Sequence, residues 1–105
     1  MTDEWYAVRC VFRWTAAEGQ PYEERITVWR AAGFEAAVAQ AESEAVEYAA
    51  DTGVTYLGLA QGYATGEKVL EPGTEVFSLL RDSPVPPEEY LDRHFDTGGE
   101  HQGTL

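Results

Sequence analysis

The alternation of side chains from Glu4 to Trp14 (EWYAVRCVFRW) constrains the fold more than any other feature of the sequence. Successive side chains of a β-strand point to opposite faces, so this stretch predicts a strand with two unlike faces. One face is apolar throughout and comprises Tyr6, Val8, Cys10, Phe12 and Trp14. The other face carries both arginines and comprises Trp5, Ala7, Arg9, Val11 and Arg13. The apolar face has to be covered by another element, which predicts a layered domain.

A second strand is predicted soon after the first. Residues 15–21 (TAAEGQP) supply turn residues, and residues 22–31 (YEERITVWRA) are rich in residues that favour strands. Two such runs predict an antiparallel hairpin, although its loop, residues 15–21, is longer than the favoured hairpin loops. In the second strand we expect Ile26 and Val28 on the core face, with Arg25, Thr27 and Trp29 on the opposite face.

A long amphipathic helix is predicted over residues 33–51 (GFEAAVAQAESEAVEYAAD). At about 100° per residue, its apolar side chains gather in a single arc. These side chains are Phe34, Ala37, Val38, Ala41, Ala45, Tyr48 and Ala49. Gly33 occupies the expected N-cap position, and Gly53 lies just beyond the C-terminal end. The alanines of the arc allow the helix to approach a sheet closely.

The second half of the chain contains three further predicted elements. Residues 55–65 (TYLGLAQGYAT) predict a third strand, in which Gly58 and Gly62 indicate a bulge or the close approach of another group. Residues 74–82 (TEVFSLLRD) predict a fourth strand. Residues 87–95 (PEEYLDRHF) predict a short helix with proline and acidic residues in its first turn.

The predicted fold class is therefore α+β, with the element order ββαββα. We expect a mainly antiparallel sheet of about four strands with the long helix packed on one face. The short C-terminal helix is expected to cap an edge of the sheet or to lie on the same face. Residues 1–96 are predicted to form one globular domain, and residues 97–105 a flexible tail.

Five segments of the chain, taken in order, carry a resemblance to a known family. They are WYAVRCVFRW, YEERITVWRA, YLGLAQGY, EVFSLLRDS and YLDRHFDTG. Together they resemble a family of bacterial domains of unknown function, number four-two-eight-eight in that series, from Trp5 to about Gly98. The resemblance implies a single soluble domain. It implies no catalytic residues, because the family has no established activity.

The formal net charge of -12 is unevenly distributed along the chain. Residues 1–33 hold four arginines and five acidic residues, whereas residues 34–105 hold three basic and fourteen acidic residues. Such a surface disfavours nucleic acids and anionic membranes, because both are bound by clustered lysine and arginine. A basic protein partner is compatible with the charge, and a coat that keeps a small protein soluble is the simpler explanation.

The cysteine content and the hydropathy pattern predict a cytoplasmic location. Cys10 is the only cysteine, which excludes an intrachain disulfide and favours a reducing compartment. No stretch resembles a signal peptide, and no apolar run reaches the ~18 residues that a membrane span needs.

No catalytic, cofactor-binding or metal-binding motif emerges from the sequence, so we expect a non-enzymatic protein without a cofactor. Cys10 alternates with apolar residues and is expected to be a core thiol. His94 and His101 stand among acidic residues, but their spacing matches no zinc motif. In the short helix, His94 shares a face with Tyr90, Leu91 and Phe95 instead, and we expect it to pack there partly buried.

The candidate interaction face is an arginine and tryptophan cluster on the predicted hairpin. If odd-numbered residues of both strands share a face, it comprises Trp5, Arg9, Arg13, Arg25 and Trp29. Three interpretations remain open at this point. The arginines pair with neighbours such as Glu23 and Glu75 while the tryptophans cover the sheet, or the face is a homodimer interface, or it binds an anionic ligand or an acidic peptide.

The leading functional hypothesis is a small acidic protein-interaction module that is non-enzymatic and able to self-associate. Inhibition of a basic toxin or nuclease, an immunity-like role, is one specialisation of it. The alternative is a domain that binds an anionic small molecule, or performs minor catalysis, through the arginine and tryptophan face. A structural accessory role in a larger assembly is a third class.

Overall fold

The computed structural model describes residues 3–15, 19 and 21–95 of the chain. Within them, the elements in chain order are β1 (Glu4–Arg13), β2 (Tyr22–Ala31), α1 (Phe34–Thr52), β3 (Thr55–Ala64) and α2 (Pro87–His94). β1 is the central strand and pairs antiparallel with β2 on one side and β3 on the other. The α+β class and the antiparallel hairpin are therefore confirmed. The predicted tail, residues 97–105, lies outside the described residues.

The apolar face of β1 forms the centre of the core, as its alternation predicts. Val8 and Phe12 are fully buried, and Cys10 is 4% exposed. The Phe12 ring lies 5.0 Å from the Tyr48 ring of α1 and 5.4 Å from the Tyr56 ring of β3, measured between centroids. A single aromatic side chain of the central strand therefore joins the sheet to the helix and to the next strand.

α1 covers this face through a stripe of small residues. Ala37, Ala41 and Ala45 of the predicted arc are buried along the helix, whereas Phe34 at its start is 49% exposed. The helix also comes close to the sheet at Gly62 of β3, where an added Cβ atom would lie 3.1 Å from the Phe34 ring. The helix ends at Gly53, whose left-handed φ of 77° suits glycine, and its N–H donates to the Ala49 carbonyl.

The prediction of a fourth strand over residues 74–82 is wrong, and so is the order ββαββα. In the described chain these residues belong to no strand. The Phe77 ring lies 5.8 Å from the Tyr63 ring and Tyr63 donates a hydrogen bond to Glu75, so the segment packs against the sheet through side chains instead of extending its edge. β-forming residues pack there through side chains, without the backbone pairing that defines a strand.

α2 also differs from its expected position. It has the predicted bounds to within one residue, but in the described part of the chain it packs against neither the sheet nor α1. Its contacts are local: Tyr90 accepts a hydrogen bond from Arg81 at 3.3 Å, and Arg93 pairs with Glu89 at 3.5 Å. Among the described residues, neither helix is both long and apolar enough to traverse a lipid bilayer.

Replacing a buried alanine of α1 by leucine tests the close packing of helix and sheet. Ala41→Leu should lower the free energy of unfolding by about 1–3 kcal/mol, because the added atoms have no space to occupy. Ala50→Leu, on the exposed side of the same helix, should change it by no more than ~0.5 kcal/mol. Urea denaturation of both variants measures the difference, and equal effects would contradict the packing described.

Candidate functional site

The pairing register of β1 and β2 decides which side chains share a face of the sheet. Cys10 lies opposite Arg25, and Arg9 lies opposite Ile26. Residues directly opposite each other in an antiparallel pair point to the same side. Arg25 therefore lies on the α1 side of the sheet, and Ile26 lies with Arg9 on the other side, here called the open face.

The predicted face assignment of β2 is therefore wrong. Arg25 and Trp29 do not share a face with Arg9, and Ile26 and Val28 do not point into the core. The reason is that Arg13 lies opposite Tyr22, so odd-numbered residues of β1 join even-numbered residues of β2. Because β2 carries large side chains on both faces, its own alternation did not select between the two registers.

Arg25 binds α1 directly. Its guanidinium donates hydrogen bonds to both carboxylate oxygens of Glu44, at 2.6 and 2.9 Å, and lies 4.0 Å from the centre of the Tyr48 ring. The hydrogen bond with Glu44 raises the pKa of Arg25. The two charged side chains are 28% and 29% exposed, so the pair is only partly screened by solvent. Arg25 therefore links β2, at the edge of the sheet, to α1.

Glu23 and Trp29 complete this contact between β2 and α1. The Tyr48 hydroxyl donates to both oxygens of Glu23, at 2.8 and 3.0 Å, and Trp14 Nε1–H donates to Glu23 at 3.2 Å. Trp29 packs against the buried core, and its Nε1–H donates to the Thr27 hydroxyl at 2.7 Å. These side chains fill the space between β2 and α1, and their polar groups form hydrogen bonds with neighbouring side chains.

Cys10 lies in the core beneath this contact, and Tyr56 packs against that core, partly buried. The Tyr56 hydroxyl donates to Glu42 at 2.6 Å, and burial, reinforced by this hydrogen bond, raises the pKa of Tyr56. Burial also raises the pKa of the Cys10 thiol. Because the thiolate is the nucleophilic form, a buried thiol with a raised pKa is poorly suited to nucleophilic chemistry. The prediction that Cys10 is a core thiol is confirmed by its burial.

Three of the five predicted face residues, Trp5, Arg9 and Arg13, do lie together on the open face. Arg9 pairs with Glu24 at 3.2 Å, donates a hydrogen bond to Gln61 and lies 5.2 Å from the centre of the Phe77 ring. The Arg13 guanidinium lies 6.0 Å from the centre of the Tyr22 ring. Pairing of arginines with carboxylates across strands was one of the predicted interpretations, and Glu24 is the partner of Arg9, in place of Glu23 or Glu75.

The open face also carries aliphatic side chains that sequence reasoning missed. Ile26 is 46% exposed and Val28 38%, and Leu57 and Leu59 are 46% and 51% exposed. The two leucines flank Gly58, whose φ of 80° accompanies a register shift of β3 against β1. Each leucine adjoins a residue that faces α1, and this places both on the open face. The sequence signal that could have identified the two leucines is their position on either side of Gly58 in the predicted third strand.

The histidines form no metal site in the described residues. The His94 ring lies 4.5 Å from the Tyr90 ring on α2, while His101 lies outside the described residues. Over residues 3–15, 19 and 21–95, no group of three or more His, Cys, Asp and Glu side chains is arranged to hold a metal ion.

Comparison with known proteins identifies no relative: no protein-family model matches the chain, and neither a curated protein nor a solved structure does. The resemblance to the family of unknown function stays a prediction from the sequence.

Removing one charge from the Arg25 contact tests its contribution to stability. Glu44→Gln should lower the free energy of unfolding by about 1 kcal/mol, because it weakens two hydrogen bonds to a charged group. Glu47→Gln, at an exposed position three residues later on α1, is the matched control and should change stability by ~0.5 kcal/mol at most. Thermal and urea unfolding at low and high salt measure both. A larger effect at Glu47 would contradict the role given to Glu44.

The raised pKa of Tyr56 predicts a loss of stability in alkali. The unfolded chain releases its phenolic proton near the ordinary pKa of 10.0, whereas the folded chain holds it to higher pH. The contribution is therefore complete below pH 10 and is lost as the pH rises above that value. In Tyr56→Phe, the free energy of unfolding should fall less steeply between pH 9 and pH 12 than in the unmodified protein. Equal slopes in urea titrations would contradict burial of this phenol.

Proposed function

We propose that the chain is a non-enzymatic protein-interaction module, able to self-associate, and that the open face of its sheet takes part in the contact. The observation that carries the proposal is the exposure of Ile26, Val28, Leu57 and Leu59 on this one face. α1 covers the opposite face. On the open face, Phe77 contacts Arg9 and Tyr63, and Ala7 at the centre of β1 is buried, whereas the four aliphatic side chains remain exposed.

The composition of the open face suits a protein contact. Interfaces are enriched in aromatic residues and arginine, and their centres are apolar. Trp5 and Arg9 supply the first two kinds of residue beside the exposed aliphatic side chains. Arg9 is already held by Glu24, Gln61 and Phe77, so little side-chain entropy is lost when a partner covers it.

Arg9 and Arg25 already have carboxylate partners, which favours a protein contact over the binding of an anionic small molecule. That alternative relied on five side chains converging on one face. Arg25 and Trp29 lie on the α1 side, and the guanidinium of Arg25 is held by Glu44. Arg9 is paired with Glu24, so its charge is already balanced by a carboxylate.

The charge distribution describes the kind of partner that fits. The segment 34–105 holds fourteen acidic and three basic residues, whereas the hairpin is nearly neutral. A partner with an apolar contact patch and a neutral or basic surrounding surface would be drawn in electrostatically and then held by apolar burial. An immunity-like role towards a basic protein is one case of this arrangement.

Two glutamate substitutions at exposed aliphatic positions test the proposal. Leu59→Glu adds a charge to the open face, and Val46→Glu adds one to α1, where Val46 is 60% exposed. Proteins captured by the unmodified chain from a lysate of its source should be purified and titrated by calorimetry. Leu59→Glu should weaken binding at least tenfold, about 1.4 kcal/mol, whereas Val46→Glu should change it less than twofold.

Circular dichroism of both variants establishes that they fold. The proposal fails if no purified protein binds and the chain itself stays monomeric, or if Val46→Glu weakens binding more than Leu59→Glu does.

A further inference from the structure

The outer edge of β2 carries backbone groups that pair with no other strand in the described chain. The N–H of Trp14 donates to the carbonyl of Pro21 at 2.9 Å, and these two residues continue the β1–β2 register. Backbone groups of successive residues point alternately to the two sides of a strand. The odd-numbered residues of β2 therefore bond to β1, and the even-numbered residues from Tyr22 to Arg30 direct their N–H and C=O groups outward.

The two edges of the sheet differ in their capacity to accept another strand. β3 is interrupted by the register shift at Gly58, and such bulges disrupt a ladder of hydrogen bonds. β2 keeps one continuous register with β1 over ten residues, and it contains no proline. Long, regular edge strands without proline are the ones that pair with other chains.

The sequence of β2 is complementary to itself about Thr27. In an antiparallel pair of two β2 strands with a two-fold axis at Thr27, Glu24 lies opposite Arg30, and Ile26 lies opposite Val28. Each of these pairs occurs twice, once on either side of the axis. They are pairs of even-numbered residues, whose backbone groups point outward, so the same register also forms the hydrogen bonds. Opposite charges and aliphatic pairs across strands are stabilising.

The α1 side of the same register is complementary as well. Thr27 lies opposite its own copy, and Arg25 lies opposite Trp29, an arrangement that allows a guanidinium to contact an indole ring. β1 and its copy would stand three strand spacings apart, about 14 Å. Since a helix is about 10 Å across, two copies of α1 fit side by side on this face.

The charge of β2 permits a second copy to approach. The chain as a whole has a net charge of -12, so two copies repel each other over most of their surface. β2 itself holds two glutamates and two arginines and is neutral: Glu23, Glu24, Arg25 and Arg30. The free edge therefore lies on a part of the chain where this repulsion is small.

From these observations we infer that two copies of the chain associate through antiparallel pairing of their β2 strands about Thr27, which forms a continuous six-stranded sheet. The inference names the partner for the self-association in the proposed function and rests on that part of it. It uses the edge of the sheet, whereas the proposed function uses the open face, and the two are separable by experiment.

Charge substitutions at the two ends of β2 test the pairing. Glu24→Arg and Arg30→Glu each place like charges opposite one another at two positions of the dimer, and each should raise the dimer dissociation constant at least tenfold. An equimolar mixture of the two variants restores both opposite-charge pairs, and it should regain the dimer as a heterodimer. Arg30→Glu also leaves the pair between Arg9 and Glu24 intact.

Sedimentation equilibrium measures the mass, which is 11.6 kDa for one chain and twice that for the dimer. Thermal unfolding of each variant establishes that it folds. Dimer loss in each variant alone, with recovery on mixing, supports the inference. A monomer at every concentration of the unmodified chain overturns it and leaves binding of another protein at the open face untouched.

A dimer that persists in both β2 variants but is lost in Leu59→Glu also overturns the inference. That outcome assigns self-association to the open face and supports the proposed function. Conversely, mutual rescue of the two β2 variants supports the inference even if no other protein binds to the open face.

Discussion

The packing of β1 against the alanine stripe of α1 is the contact on which the other features of the structure depend. Val8 and Phe12 are fully buried because Ala41 and Ala45 let the helix come close to the sheet. Phe12 in turn contacts rings of α1 and β3. Dispersion and apolar burial at this centre hold the hairpin flat against the helix. Once one face of β1 is occupied in this way, Arg9 and Arg13 have to lie on the other face.

The sequence predicted the structure best in the segments where apolar and polar residues are most clearly separated onto two sides. β1 and α1 each have one apolar and one polar side, and their existence, bounds and buried faces were predicted closely. The glycine interpretation in β3 was also confirmed, with a register shift at Gly58 and a close approach at Gly62. In these segments local pattern and tertiary packing favour the same arrangement.

The errors arose where the pattern was balanced or where long-range pairing decides the outcome. β2 has bulky residues on both sides, so the face that each of them occupies follows from the register with β1. The segment 74–82 has strand-forming residues, but a strand also needs a partner edge, and this segment is held against the sheet by side-chain contacts instead. The candidate face was therefore predicted only in part: Trp5, Arg9 and Arg13 lie together, whereas Arg25 and Trp29 serve the contact with α1.

The bulge at Gly58 also limits how far a sheet built from this chain can grow. A flat sheet with two regular edges can add strands at both sides, and repetition of that step yields fibrils. Here the hydrogen-bond ladder between β3 and β1 is interrupted between Cys10 and Phe12 of β1. The outer backbone groups of β3 therefore do not form one regular row for a long partner strand. A long strand that joins the chain is therefore favoured at the β2 edge. Assembly by strand addition is then finite, which lets an acidic chain with an exposed apolar face keep one regular edge without polymerising.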